Sequence, residues 1–157
     1  HKTEAGRVAV GLAGASEVGA ALDAMDLADD AEVLVEDFVD DAVVELLVSV
    51  RREPPVGWLL TLGIGGTLVE LLGDTTSLLL PVDAGGVSVA LRSLAGWPRI
   101  EGHRGRAPAD LDALVATMLG IAGVVEMRPG LVELECNPVL ARPVGAITVD
   151  ALAIVVD

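Results

Sequence analysis

Residues 131–141 read LVELECNPVLA, a stretch that predicts a strand returning after a Pro-Gly turn. Within it, Glu135 and Asn137 stand two residues apart, so their side chains share one face of the strand with about 7 Å between their Cα atoms. Carboxylate and amide oxygens suit Mg²⁺, which usually takes one or two protein oxygens and adds phosphate and water. The same pattern is common at the end of a solvated edge strand before a turn proline. Taken alone, the hexapeptide Glu133 to Pro138 favours this second interpretation, because short motifs often occur by chance.

The composition predicts one domain with an aliphatic core. The chain has 157 residues, of which 52% are hydrophobic and only 2% aromatic, so we expect a core of Val, Leu, Ile and Ala. No apolar run reaches the roughly 18 residues that a membrane helix requires, and we expect no membrane segment. The formal net charge of −14 and the scarcity of aromatic side chains argue against nucleic-acid binding.

Positive charge is concentrated in one segment. No Lys or Arg lies between Arg7 and Arg51, and the many acidic residues of that stretch are typical of a solvated face. The basic cluster consists of Arg92, Arg99, His103, Arg104 and Arg106. In an acidic protein such a cluster favours the binding of an anion, and phosphate is the obvious candidate.

Cys136 is the only cysteine. An internal disulfide and a Cys-rich zinc site are therefore excluded. We expect a reducing, cytoplasmic setting.

The hydrophobic pattern predicts an α+β fold with a largely antiparallel sheet and helices packed on it. Strand-like segments separated by Gly and Pro turns cover residues 7–13, 32–39, 43–52, 57–63, 67–72, 76–82, 131–141 and 146–156. Helical spacing follows Ser16, Val87 and Pro108. Ser16 is the predicted N-cap of the first helix.

The glycine loop Gly63-Ile64-Gly65-Gly66 has two interpretations. It lacks the Lys-Ser/Thr ending of a P-loop and does not fit the dinucleotide-binding pattern. Its glycines are typical of a tight hairpin turn. They would also allow backbone amides to approach a phosphate closely.

Six segments occur in order along the chain: His1 to Gly6, Arg51 to Pro54, Gly63 to Glu70, Gly102 to Gly105, Glu133 to Pro138, and Val149 to Ala151. Together they resemble the ATP-grasp part of the nucleoside-diphosphate-forming (ADP-forming) acyl-CoA synthetases, relatives of the succinyl-CoA synthetase β subunit. The resemblance covers essentially the whole chain. It implies the carboxy-terminal part of an ATP-grasp fold with a truncated amino-terminal lobe. Residues 1–40 would be the remainder of the first lobe with the hinge, and residues 41–157 the second lobe.

The resemblance also implies an activity and its residues. Family members interconvert an acid, CoA and ATP with an acyl-CoA, ADP and phosphate, through an acyl phosphate and phosphohistidines. His1 matches the histidine that relays phosphate, and Arg104 is expected to face phosphate. Glu135 and Asn137 match the pair that holds Mg²⁺ against the nucleotide. The other implied nucleotide contacts are the hinge residues Glu36, Asp37 and Val39, the acid Glu45, and the loop residues Gly65 and Gly66.

Three positions depart from the family pattern. Arg7 replaces a glycine, Glu135 replaces an aspartate, and Leu78 stands where relatives have an arginine, which would remove a phosphate contact. These departures keep open an alternative, a degenerate ATP-grasp module with a regulatory or assembly role in a multidomain protein.

The chain starts at His1 rather than at a methionine. We expect a fragment that lacks the phosphate-binding lysines of the preceding region and cannot complete catalysis alone. A CoA-binding ligase domain, in the same full-length chain or in a separate subunit, would supply CoA. The substrate would be a small carboxylic acid, and assembly into a homo-oligomer is left open.

Overall fold

The computed structural model describes residues 7–28, 30–65, 73–103 and 105–156. It divides the chain into two compact units, His1–Asp40 and Asp41–Asp157. The assignment of these units to two lobes of one fold stays a prediction.

The first unit contains one helix, α1 (Ala15–Ala24), among its described residues. The helix begins after Gly14, so Ser16 lies in the first turn and the predicted N-cap is wrong. The Glu17 carboxylate accepts a hydrogen bond from the Ala13 amide at 2.8 Å and satisfies one of the donors before the helix.

The two strands predicted for the first unit do not form. Residues 7–13 and 32–39 have no regular secondary structure, and they pair with no strand in the described ranges. Both segments are rich in strand-forming apolar residues, but a strand is stable only when its backbone groups find a partner. Four large apolar side chains of the second segment are exposed, namely Val33, Leu34, Val35 and Phe38.

The second unit is built on an antiparallel sheet. Its strands are β1 (Val44–Glu53), β2 (Gly57–Ile64), β3 (Thr75–Leu79), β4 (Leu131–Ala141), β5 (Ala146–Thr148) and β6 (Ala151–Val155). The order is β3-β2-β1-β4-β5, with β6 also paired to β4. Every pairing is antiparallel. The predicted α+β class is confirmed, while the strand predicted at residues 67–72 lies outside the described residues.

Among the described residues of this unit, three helices pack on one face of the sheet. They are α2 (Ala84–Ser93), α3 (Trp97–Ile100) and α4 (Leu111–Met127). The core between them and the sheet is aliphatic, as predicted. Its fully buried large side chains are Val44, Leu46, Val48, Val50, Leu60, Leu62, Val87, Leu91, Ile100, Leu114, Met118 and Val139. None of the helices in the described ranges is long and apolar enough to span a membrane.

Strand β4 lies inside the sheet. Strand β1 pairs with one of its sides, and β5 and β6 pair with the other. The segment between β5 and β6 also contacts β4 through two backbone hydrogen bonds. The Asn137 amide donates to the Asp150 carbonyl, and the Val149 amide donates to the Pro138 carbonyl. The interpretation of Glu133 to Pro138 as the end of a solvated edge strand is therefore wrong.

Candidate functional site

Glu135 and Asn137 lie side by side on the face of β4 that points away from the helices. The Asn137 Nδ2 atom donates to Glu135 Oε1 at 3.4 Å. Between them in sequence, Cys136 points the other way and is buried in the core. Glu135 is half-buried and Asn137 is exposed. Two oxygen-bearing side chains are thus brought together where solvent and a ligand can reach them.

A row of hydroxyl side chains extends from Glu135 across the sheet. Ser49 of β1 lies opposite Glu135, Thr61 of β2 opposite Ser49, and Ser77 of β3 opposite Thr61. Thr61 Oγ1 and Ser77 Oγ share a hydrogen bond of 2.9 Å. Directly opposite residues place their side chains on the same face. The polar face therefore spans four strands. It could not be predicted from the composition, because only the register of the strands brings these side chains together.

The next row of the sheet faces the helices instead. Leu134, Val50, Leu60 and Leu78 are opposite one another in successive strands. Leu78 packs against the buried core. A side chain at this position starts from the helix-covered face, on the opposite side of the sheet from Glu135. The expectation that Leu78 removes a phosphate contact stays a prediction.

The glycine loop begins with a close contact between β1 and the end of β2. The Gly65 amide donates to the Glu45 carbonyl at 2.5 Å. A Cβ atom on Gly65 would lie 2.8 Å from the Glu45 carbonyl carbon and oxygen. Glycine is required here because the backbone approaches the neighbouring strand, and the Gly65 amide is already engaged within the sheet. A role of Gly65 in nucleotide binding stays a prediction.

Basic side chains converge at another place in the second unit. Arg99, His103 and Arg106 line a cavity of about 250 Å³ together with Val43. The density of arginines in the sequence predicted an anion-binding segment here. It could not select these three residues, because their convergence depends on how the chain runs between α3 and α4.

The profile of the ATP-grasp domain family matches residues 1–155. The chain belongs to the ATP-grasp family. ADP-forming acetate–CoA ligase I of Archaeoglobus fulgidus is similar to this ATP-grasp domain, with 31% identity over 118 residues that make up 75% of the chain and 17% of the relative. The β subunit of ADP-forming acetate–CoA ligase II of Pyrococcus furiosus is 30% identical over 110 residues, 68% of the chain and 47% of the relative.

The fold is also similar to a solved structure. Dinucleotide-forming acetyl-coenzyme A synthetase 1 of Ca. Korarchaeum cryptofilum, in complex with coenzyme A and Mg-AMPPCP, matches with a TM-score of 0.84 and 26% identity. The match covers 99% of the ATP-grasp domain and 70% of that chain. The ATP-grasp domain spans less than half the length of each of the two acetate–CoA ligase relatives from Archaeoglobus fulgidus and Pyrococcus furiosus. These matches confirm the predicted family. They also show that the chain is homologous to the nucleotide-binding part of ADP-forming acetyl-CoA synthetases.

The oxygen pair on β4 of this ATP-grasp domain fits a hard cation that shares its shell with a nucleotide. Among the described residues, no group of three or more His, Cys, Asp and Glu side chains could hold a metal ion. A site made by Glu135 and Asn137 would therefore leave most positions to phosphate and water, as Mg²⁺ prefers. Rotation of the Asn137 amide would place its oxygen beside Glu135 Oε1.

The other predicted site residues are not brought together by the described structure. His1, Gly66 and Arg104 lie outside the described residues. In the first unit, Glu36 and Asp37 are exposed and Val39 is half-buried. Glu45 is exposed on β1 in the second unit. The roles of these residues stay predictions.

Two carboxylates hold the loops at the end of the sheet where β1 begins and β4 ends. Asp110 caps α4 by accepting from the Ala113 amide at 3.0 Å, and its other oxygen accepts from the Gly145 amide at 3.0 Å. Asp41 accepts two hydrogen bonds from Arg142 at 2.6 and 2.9 Å. Backbone donors hold the pKa of Asp110 below its usual range, and the Arg142 guanidinium does the same for the pKa of Asp41.

Asp74 has a similar role at the other edge of the sheet. Its two carboxylate oxygens accept hydrogen bonds from the Ala95 and Gly96 amides, each at 2.8 Å. The contact joins the start of β3 to the segment between α2 and α3. Asp74 therefore organises the fold over a long sequence separation.

Proposed function

We propose that this chain is the nucleotide- and Mg²⁺-binding part of an ADP-forming acid–CoA ligase. The observation that carries the proposal is the pair Glu135 and Asn137, which share the open face of an interior strand. The homology to ADP-forming acetate–CoA ligases supports it. The overall reaction would convert an acid, CoA and ATP into an acyl-CoA, ADP and phosphate.

Each part of the open face has a task in this proposal. Glu135 supplies negative charge and Asn137 a neutral oxygen, so the pair would orient Mg²⁺ without neutralising it fully. The bound ion would shield the charge that develops on the nucleotide phosphates during phosphoryl transfer. Ser49 lies opposite Glu135 and could hydrogen-bond the water that completes the ion's shell. Thr61 and Ser77 extend the same polar surface.

The phosphoryl group would pass between the nucleotide and His1. The neutral imidazole of a histidine is a competent nucleophile, so a nitrogen of His1 would attack the terminal phosphorus of ATP and the bond to the leaving ADP oxygen would break. An acyl phosphate and CoA would be handled by a ligase domain in the same protein or in a separate subunit. Cys136, as a single buried thiol, is compatible with the cytoplasmic location that we propose.

The alternative, a degenerate module, rested mainly on Leu78 and Arg7. Leu78 packs on the helix-covered face and leaves the face of Glu135 unchanged. Arg7 is exposed in the first unit. Neither position favours the degenerate module over the enzyme, and the experiment below decides between them.

The test is phosphoryl transfer in the protein expressed from its own gene. With Mg²⁺ and ATP labelled at the terminal phosphate, we expect an acid-labile phosphoprotein whose label is lost in His1→Gln. Glu135→Gln should reduce the labelling rate by about a hundredfold or more, because a charge that positions the metal is removed.

Glu133→Gln is the matched control. Glu133 lies two residues away on the same strand, opposite Arg51 rather than Ser49. Its substitution should leave labelling unchanged. Label that persists in His1→Gln would exclude this histidine as the acceptor. A wild-type protein that takes up no label would favour the degenerate module.

A further inference from the structure

The cavity lined by Arg99, His103, Arg106 and Val43 lies in the second unit. Arg99 belongs to α3, and the other two basic residues follow it before α4 begins. We call this cavity, which these four residues line, the basic cavity.

The three basic side chains have no acidic partner among the described residues. The acids nearest to them in sequence are engaged elsewhere, because Glu101 forms an ion pair with Arg92 at 3.8 Å and Asp110 accepts hydrogen bonds from two backbone amides. Asp41, two residues before Val43, pairs with Arg142 at 2.6 Å. Side chains of like charge that share a small space repel one another. In a chain with a formal net charge of −14, the two unmatched guanidinium groups of Arg99 and Arg106 are unexpected in one cavity unless an anion relieves their repulsion.

The segment that carries these residues is anchored to the fold. Ile100, next to Arg99, is buried in the core. The Ala109 amide donates to the Ile100 carbonyl at 2.9 Å, and the Asp110 amide donates to the Arg142 carbonyl at 2.8 Å. Both ends of the segment are therefore fixed, and the basic side chains start from constrained backbone positions.

The basic cavity is separate from the Glu135 and Asn137 pair. The Val43 amide donates to the carbonyl of Ala141 at 2.8 Å. Ala141 follows Glu135 by six residues on the same strand, which corresponds to about 20 Å. A ligand group held by the basic cavity would therefore not share the first coordination shell of a cation bound at Glu135.

We propose that the basic cavity is a second anion site that binds a phosphate group. Two arginines provide planar forks of N–H donors, and His103 adds an imidazole donor, which is the donor set that phosphate oxygens accept. The cavity of about 250 Å³ is smaller than the roughly 300–1,000 Å³ that encloses a drug-sized ligand. It suits a single phosphate, either the free ion or the exposed phosphate monoester of a larger molecule. The proposal does not depend on the proposed ligase activity.

Calorimetric titration of the protein at low salt, without Mg²⁺, tests this proposal. The probes are inorganic phosphate and adenosine 3′,5′-bisphosphate. We expect binding that weakens as salt is added. The double variant Arg99→Ala/Arg106→Ala should weaken binding by about tenfold or more, because two charge-assisted contacts are lost. Arg99→Lys/Arg106→Lys should restore part of the affinity, because it keeps the charge without the fork.

The matched control is Arg52→Ala/Arg128→Ala. It removes the same charge from two exposed arginines elsewhere in the second unit. Unchanged affinity in this control supports a local site, whereas an equal loss in both double variants would overturn it. Absence of binding by both probes would also overturn it.

Two further comparisons identify the type of phosphate that binds and test whether its site is separate from Glu135. A bisphosphate that binds at least about tenfold more tightly than inorganic phosphate points to a phosphate monoester, and comparable affinities point to the free ion. Glu135→Gln should leave phosphate binding intact even if it abolishes phosphoryl transfer. Loss of phosphate binding in Glu135→Gln would place the anion at the nucleotide site and contradict a second site.

Discussion

The two faces of the sheet in the second unit carry different chemistry. On the helix-covered face, successive strands present Leu134, Val50, Leu60 and Leu78, and this row belongs to the aliphatic core. The neighbouring residue on each of these strands points to the open face, which presents Glu135, Ser49, Thr61 and Ser77. The same strands therefore contribute to the core on one side and present a row of polar side chains on the other. A position can be assigned to one of these tasks only when its face is known.

The largest expected effect separates the two faces by stability. Leu46 is fully buried on the helix-covered face, and its neighbour Leu47 is half-buried on the open face. We expect Leu46→Ala to lower the free energy of unfolding by about 2–5 kcal/mol, because it leaves a cavity in the core. Leu47→Ala should cost about 1 kcal/mol.

Urea denaturation of both variants measures this difference. The slope of the free energy against denaturant should stay the same, so that the midpoints can be compared. Equal losses of stability in the two variants would contradict the division of the sheet into two faces.

A second prediction concerns the close contact at the start of the glycine loop. Gly65→Ala would place a Cβ atom 2.8 Å from the Glu45 carbonyl group, and we expect a loss of about 1–3 kcal/mol in the free energy of unfolding. Gly120→Ala is the control, because a Cβ atom there meets nothing within 4 Å. It lies in α4 and should stabilise the protein by about 0.5–1 kcal/mol. A neutral Gly65→Ala would show that the two strands separate without cost.

A third and smaller effect depends on pH and concerns the attachment of the helices to the sheet. The pKa of Asp110 is lowered by the Ala113 and Gly145 amides. Because the folded pKa lies below the unfolded value of about 3.9, the ionised carboxylate stabilises the fold above that value. This contribution is lost as pH falls through the folded pKa.

Asp110→Asn isolates the charge, since asparagine also caps helices well. We expect this variant to be less stable than the wild type at neutral pH, and the difference should shrink below about pH 4. Urea midpoints measured across this range give the result. A difference that stays constant with pH would show that the carboxylate charge is unimportant.

The sequence predicted local features of the second unit well. Strand β4 was predicted at residues 131–141, where it lies, because alternating apolar residues fall between clear turn signals. The side-by-side placement of Glu135 and Asn137 follows from the two-residue period of any strand, whatever its neighbours. The helix predicted after Pro108 is present and begins at Leu111, whereas the role of Asp110 as its N-cap was not predicted.

Features that depend on long-range pairing could not be predicted in the same way. The alternating pattern of residues 7–13 resembles that of β1, but only β1 has neighbouring strands to pair with among the described residues. The interior position of β4 depends on β1, which lies far away in sequence. The face on which Leu78 lies could not be predicted for the same reason, because it is defined by the register with Leu60. The convergence of Arg99 and Arg106 on one cavity likewise depends on the path of the chain.

The central claim is that the open face binds a cation through Glu135 and Asn137. The most direct measurement is an electron paramagnetic resonance titration with Mn²⁺, a hard cation that can replace Mg²⁺, in the presence of AMPPCP. We predict that Glu135→Gln weakens Mn²⁺ binding by about tenfold or more, whereas Glu133→Gln leaves it unchanged. Equal Mn²⁺ affinity in the wild type and Glu135→Gln would contradict the claim.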